Sequence, residues 1–344
     1  MTTLTSKRHK VEDLDATEFC FQQGWTDGLP VIPPTEDRVW AMLKAANLKP
    51  EDQVGYIDNR AVSVSAEKVA LNAVMAGCRP EYMKVVVAAV QGICDPKWAY
   101  HGPGTSTGGA GVLIIVNGPV VRELDINAGD NLFGPGWRAN ATIGRALRLV
   151  MRNIAGSMPG LLDRGTVGHP GKLSYVIAEN ETVSPWTPLH VERGFKKGQS
   201  TVTVLAAQGP HQVYNQLSNT AKGLLTTMAD DMRISGGIMG QPEHVVCIAG
   251  EHMKTIAADG WTKADIRKFL FENTQSSHEH LKKTARMSGP LQPGDDKKMR
   301  TLVAAPEDFM IVAAGGEAGA FSCYIPGWGS KRSSQAVTKG ISGS

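Results

Sequence analysis

The segment from Glu179 to Glu192 contains the densest group of side chains suited to catalysis. Carboxylates and an imidazole can donate and accept protons near neutral pH, and the same groups can bind a divalent metal ion. We therefore predict that Glu179, Glu181 and His190 are catalytic, and that the same three residues bind a divalent metal ion where the loop folds back. A structural salt bridge between Glu192 and Arg193 is the alternative for the end of this segment.

Two arginines near the start of a predicted helix are suited to binding an anion. Asn140 or Thr142 is expected to cap this helix, which continues to about Ala155. Arg138 and Arg145 flank the N-terminus, where free backbone N–H groups favour negative charge. We predict that these arginines bind a substrate carboxylate. The alternative is that the arginine face of the helix is solvated or salt-bridged.

Glycine-rich turns with polar residues follow several short apolar strands. The predicted strands and the residues that follow them are Val112–Val116 with Asn117, Leu173–Ala178 with Glu179, Val202–Ala207 with Gln208, Val245–Ala249 with Gly250, and Phe309–Ala314 with Gly315. Strand ends of this kind line the ligand crevice of open α/β sheets. Asn117 and Asn140 are predicted to polarise a substrate carbonyl. His211 and Asp27, which lie in other turns, are also predicted to bind substrate.

The second half of the chain resembles the first in its order of elements. In each half, a strand that ends in Gly-Pro, Val112–Pro119 or Val202–Pro210, is followed by a helix and then by a strand with an acidic end. We predict an α/β protein with two similar halves, from an ancient duplication, and a site between them. The predicted organisation is an N-terminal arm and turn-rich segment (1–60), a first α/β domain (61–195) and a second (196–344).

The composition of the chain excludes several classes of protein. The 344 residues include 36 basic and 33 acidic residues, and the net charge of +3 is too small to predict nucleic-acid binding. No apolar stretch approaches the roughly 20 residues of a membrane helix. The polar N-terminus has no signal-peptide pattern, so we expect a cytoplasmic protein.

One of the five cysteines has surroundings that suggest reactivity. The cysteines are Cys20, Cys78, Cys94, Cys247 and Cys323. Cys78 lies beside Arg79 at a predicted helix junction, and a neighbouring cation can lower the pKa of a thiol. A functional Cys78 and a buried structural Cys78 are both consistent with the sequence.

Several distinctive motifs resemble those of bacterial proteins associated with the UGSC-motif (seleno)protein group. The motifs are Gly24-Trp25-Thr26-Asp27-Gly28-Leu29-Pro30-Val31, Met75-Ala76-Gly77-Cys78-Arg79-Pro80-Glu81-Tyr82, Asn117-Gly118-Pro119, the segment Phe133–Arg145, and Ser184-Pro185-Trp186-Thr187-Pro188-Leu189-His190-Val191-Glu192. This chain has no Cys-Gly-Ser-Cys segment of its own. The resemblance therefore implies a separate partner chain that supplies the thiol or selenol.

Two functions are consistent with these residues. The first is an enzyme of the lyase or hydrolase type that acts on a small carboxylate-bearing molecule by general acid–base chemistry, with or without a metal ion. The alternative is a non-catalytic or substrate-presenting subunit of a thiol or selenol redox complex, in which Cys78 would be the important residue. An oligomer is expected in either case.

Overall fold

The structure is a computed structural model that describes residues 3–12, 15–235 and 240–342. The strands are β1 (Gln53–Ile57), β2 (Val62–Ser65), β3 (Gly111–Asn117), β4 (Val176–Ala178), β5 (Thr201–Ala207), β6 (His211–Tyr214), β7 (His244–Ile248), β8 (Ser276–Ser277), β9 (Met299–Arg300), β10 (Phe309–Ala313), β11 (Phe321–Pro326) and β12 (Val337–Gly340). The helices are α1 (Ala16–Gln22), α2 (Glu36–Ala45), α3 (Ala66–Ala76), α4 (Met83–Cys94), α5 (His101–Thr105), α6 (Val120–Glu123), α7 (Arg138–Asn153), α8 (Leu189–Glu192), α9 (Ala221–Ser235), α10 (Gly250–Ala258), α11 (Lys263–Asn273) and α12 (His278–Lys283). None of the helices within these ranges is long and apolar enough to span a membrane.

The central strands are buried on both faces. Every residue of β5, β7 and β10 is buried, and β3 is buried at all positions except Val112. Because successive side chains of a strand point to opposite faces, such strands need a covering layer on each side. The α/β fold predicted from these apolar runs is confirmed.

Two four-stranded sheets have the same arrangement of strand directions. The first has the order β12-β5-β3-β4 and the second the order β6-β11-β7-β10. In the first sheet β3 and β4 are parallel, and β5 and β12 continue the sheet in antiparallel pairs. In the second sheet β7 and β10 are parallel, and β11 and β6 continue it in the same way. The two sheets share a topology, but a shared topology does not by itself show that one half arose from the other. The ancient duplication therefore stays a prediction.

The edge strands are exchanged between the two sheets. Strand β6 follows β5 in the chain but pairs in the second sheet, and β12 follows β11 but pairs in the first. The domain boundary expected near residue 195 therefore does not separate the sheets, because β5 and β12 both belong to the first one. Near the N-terminus, β1 pairs with β2 across the boundary expected at residue 60.

The sheets pack face to face and helices cover their outer faces. Leu113 and Ile115 of β3 share one buried cluster with Val245 and Cys247 of β7. The alternate residues of the first sheet pack with α2, α3, α4 and α7, and those of the second with α9, α10 and α11. The result is a layered order of helices, sheet, sheet and helices.

A buried carboxylate holds the N-terminal arm against α3. The side chain of Glu67 is almost fully buried and accepts hydrogen bonds from the backbone N–H groups of Thr5 and Ser6 and from the Thr5 hydroxyl. Burial raises the pKa of this carboxyl, but the hydrogen bonds from Ser6 and Thr5 outweigh burial and hold its pKa below its usual value.

Replacing Glu67 with Gln should release the arm and lower the free energy of unfolding by about 1–3 kcal/mol, because charge-assisted hydrogen bonds are lost. The stabilisation is fully present above the unfolded-state pKa of about 4.3 and is lost as pH falls through the lower folded pKa. Urea unfolding at neutral pH would measure the loss of stability, and tryptic cleavage within residues 3–12 would measure the release of the arm. Glu51→Gln, at an exposed position, is the matched control; equal stability and equal cleavage of the two variants would contradict the expectation.

Candidate functional site

The candidate site lies where the parallel strands of the first sheet end. Val116 of β3 and Ala178 of β4 are Cα partners, so the next residues, Asn117 and Glu179, are neighbours. Strand alternation places both on the face shared with Ile115, toward the second sheet. Asn117 and Glu179 are each almost fully buried.

The amide of Asn117 links two carboxylates. Its Nδ2 donates to Glu179 Oε2 at 2.7 Å and to Glu181 Oε1 at 3.0 Å. The backbone N–H of Gly118 also donates to Glu181 Oε1, at 2.7 Å. Gly118 has a φ of +89°, and a Cβ atom there would overlap the Gln199 carbonyl oxygen, so only glycine fits this turn. The structure brings together Asn117, Glu179 and Glu181, which sequence analysis assigned to one site.

Glu179 is held by a network of ion pairs and hydrogen bonds. It accepts from the Leu189 N–H at 2.7 Å and lies 3.2 Å from the Lys263 ammonium. Lys263 also pairs with Glu192 at 3.3 Å, and Arg267 contacts both oxygens of Glu192. The two carboxylates and two cations balance in charge. A buried carboxylate with this set of partners is an anchor for the α8 segment.

His190 is the least satisfied polar group of the site. Its side chain is fully buried, and neither ring nitrogen has a hydrogen-bond partner among the residues that the structure describes. Its Nδ1 lies 3.6 Å from Glu181 Oε1. In the same described part of the chain, Asn117 Oδ1 and the hydroxyl of Thr201, the Cα partner of Asn117, are likewise buried without a partner. Buried polar groups are almost always paired, so these atoms leave hydrogen-bonding capacity open at the ends of β3 and β5.

The predicted metal ligands are not arranged as a metal site. Among residues 3–12, 15–235 and 240–342, no group of three or more His, Cys, Asp or Glu side chains is placed to hold a metal ion. Metal binding by Glu179, Glu181 and His190 stays a prediction. In this structure protein donors occupy the oxygens of Glu179, and the Lys263 ammonium lies 3.2 Å away, where it would repel a cation.

The predicted anion site at α7 is a structural clamp. Arg145 donates to both oxygens of Asp27 at 2.8 Å and also to the Leu29 and Pro30 carbonyls. Both charged side chains are largely buried. Burial raises the pKa of Asp27. The hydrogen bond and the charge of Arg145 lower this pKa and outweigh burial, so the pKa lies below its usual value. Arg145 and Asp27 fix the loop before α2 and are not available to a substrate, contrary to prediction.

Arg138 and Asn140 have structural partners as well. Helix α7 begins at Arg138, two residues before the predicted cap at Asn140. Arg138 donates from Nε and Nη2 to the Gly77 carbonyl. Asn140 accepts from the Asn127 N–H and donates to the Val176 carbonyl. Asn140 lies in the first turn of α7, and its predicted substrate role conflicts with these hydrogen bonds to the backbone of Asn127 and Val176.

Cys78 and His211 also have their contacts elsewhere in the fold. The thiol of Cys78 is buried and donates to the Thr142 carbonyl. Burial raises the pKa of Cys78 to about 12, which outweighs the charges of Arg138 and Arg145, so the expectation of a lowered pKa is wrong. His211 is exposed and stacks on the ring of Tyr324.

Sequence analysis did not identify Lys263 or Thr201 as site residues. Lys263 follows the capping residue Thr262 at the start of α11, a pattern that indicates only a helix start. Thr201 begins β5 within an apolar run. Neither carries a local signal, because each joins the site through tertiary packing.

The fold alone does not require the polar cluster. In the second sheet Ile248 and Ala313 are the Cα partners that correspond to Val116 and Ala178. The residues that follow them are Ala249 and Ala314. The same strand geometry is thus built with alanines there, and the amide and carboxylate of the first sheet serve another purpose.

Comparisons with known proteins give no family for this chain: no family model matches it, and neither a curated protein nor a solved structure is significantly similar to it. The resemblance to the UGSC-motif group stays a prediction.

Replacing Arg145 with Ala should lower the free energy of unfolding by about 3–5 kcal/mol, because Asp27 would be left buried without its counter-charge. Urea unfolding would measure the change, with Arg122→Ala, at an exposed position, as the control. Unchanged stability in Arg145→Ala would contradict the clamp and favour the anion site.

Proposed function

We propose that this protein is an enzyme that moves a proton on a small molecule at Glu181, with His190 as the partner of that carboxylate. The observation that carries the proposal is the fully buried His190, which has two unpartnered ring nitrogens and lies 3.6 Å from Glu181 Oε1. Leaving a buried polar atom unpaired costs about 1–3 kcal/mol. A bound polar molecule that pairs with these nitrogens would remove that cost.

The two residues have complementary positions. The Glu181 side chain is 26% exposed, whereas that of His190 is not exposed at all. A substrate can therefore meet Glu181 from solvent while His190 lies behind it. Asn117 and the Gly118 N–H fix one oxygen of Glu181, which orients the carboxylate without a metal ion.

The proposed reaction is of the lyase or hydrolase type, because proton transfer is common to elimination and hydrolysis. The proposed substrate is the small carboxylate-bearing molecule expected from sequence analysis. Arg145 is committed to Asp27 and does not contribute to substrate binding in this proposal. Thr201 and Asn117, with their unpartnered oxygens, are the groups that would bind a polar atom of the substrate or a water molecule.

The alternative function is a substrate-presenting subunit of a thiol or selenol redox complex, in which a partner chain supplies the thiol or selenol. Cys78, the residue of this chain that was expected to matter there, is buried and its pKa is raised to about 12, so it adds no support to the alternative. The enzyme is accordingly the function that we propose to test. We also propose that it is an oligomer and that it is located in the cytoplasm.

Replacing Glu181 with Gln should slow turnover at least about 100-fold, because general acid–base catalysis contributes factors of this size. The protein would be incubated in D2O with a panel of small hydroxy, keto and unsaturated carboxylic acids. Proton NMR would follow the exchange of C–H protons and the appearance of products. The wild-type protein should convert or label at least one of these acids.

Glu317→Gln is the matched control, since Glu317 is an exposed glutamate that follows β10 in the second sheet. This variant should retain the wild-type rate, and thermal unfolding would verify that both variants are folded. Full activity in Glu181→Gln would remove that residue from the mechanism. Absence of any reaction across the panel would count against a carboxylate-directed enzyme.

A further inference from the structure

A pair of cysteines lies face to face across two strands of the second sheet. Cys247 of β7 and Cys323 of β11 are directly opposed Cα partners in an antiparallel pair. Both side chains point into the apolar layer between the sheets. Both are free thiols.

The distance between opposed residues of antiparallel strands suits a disulfide bond. Directly opposite Cα atoms lie about 4.5 or 5.5 Å apart, depending on the type of pair. Disulfide bonds join Cα atoms about 4.4–6.8 Å apart. Cys247 and Cys323 therefore need no movement of the strands to come within bonding range.

The two thiols also interact in the reduced protein. A side-chain interaction with Cys323, followed by burial, raises the pKa of the Cys247 thiol well above its usual value. The other cysteines are Cys20 and Cys78, which belong to the core of the first sheet, and Cys94, which packs against that core.

The fold does not demand cysteines at these positions. The corresponding partners in the first sheet are Ile115 and Thr203, which occupy the same places on β3 and β5. Isoleucine and threonine fill the inter-sheet layer there. The second sheet could be packed in the same way, so the thiols are available for chemistry of their own.

We propose that Cys247 and Cys323 are a modification site, at which a peroxide oxidises the two thiols to an intramolecular disulfide bond. Hydrogen peroxide is small enough to reach the slightly exposed Cys323, which is 9% exposed against 1% for Cys247. This proposal does not depend on the proposed function.

The reaction is balanced without a further reactant. The sulfur of Cys323 attacks one peroxide oxygen, the O–O bond breaks, and a sulfenic acid and one water molecule form. The sulfur of Cys247 then attacks the sulfenic sulfur and displaces hydroxide, which takes up the Cys247 proton as a second water molecule. Two thiols and one peroxide thus give one disulfide and two water molecules.

The bond should be a reversible one. A thiol reductant such as dithiothreitol attacks one sulfur of a disulfide and breaks the bond through a mixed disulfide. The Glu179 carboxylate is near enough to influence the Cys247 thiol, so the pair adjoins the buried anchor of the candidate site.

Intact mass spectrometry of the full chain after treatment with hydrogen peroxide tests the proposal. We expect a loss of about 2 Da, reversed by dithiothreitol, because two hydrogens leave when a disulfide forms. Peptide mapping should join the peptides that contain Cys247 and Cys323. The triple variant Cys20→Ser, Cys78→Ser and Cys94→Ser should behave identically, since it retains only the pair.

Cys323→Ser should abolish the loss of mass. If that variant does not fold, the triple variant with peptide mapping decides the question alone. Two free thiols after peroxide treatment, a disulfide that maps to other cysteines, or a gain of oxygen on the pair without a disulfide would each overturn the proposal.

Discussion

The packing of one sheet on the other is the constraint on which the rest of the structure depends. Because helices cover the outer faces and the sheets cover each other, the central strands have no solvent face. A polar side chain within them must find a protein partner or bear the cost of desolvation. Polar side chains that could take part in chemistry are therefore concentrated at the strand ends, where Asn117 and Glu179 lie between the apolar layer and the loops.

The same constraint gives two nearby glutamates different roles. Glu179 is the first residue after β4 and is still inside the layers, so its charge is stable only with Lys263, Asn117 and the Leu189 N–H around it. Glu181 lies two residues further along and keeps a solvent face. Burial thus commits the first carboxylate to protein partners and leaves the second open to solvent on one side.

Local patterns predicted the elements but not their tertiary partners. The apolar run at 245–249 corresponds to β7, displaced by one residue, and the polar ends of β3 and β4 were found correctly. The partner of Arg145 was missed because Asp27 lies 118 residues away in the chain. Lys263 was missed for the same reason, and the exchange of β6 and β12 between sheets leaves no trace in either segment. Sequence spacing constrains neighbours along one helix or strand, whereas these contacts are set by how the layers assemble.

Comparison of the two sheets separates what the fold requires from what it permits. Corresponding positions hold Asn117 and Glu179 in one sheet and Ala249 and Ala314 in the other, although the strand directions are the same. A requirement of the fold would appear in both sheets, because both face the same layer and the same kind of helical cover. The amide and carboxylate are costly to bury and are found in only one of the two sheets, where Glu179 accepts the Leu189 N–H and Asn117 donates to Glu181. They therefore support the loop that carries Glu181 and His190 rather than the strands themselves.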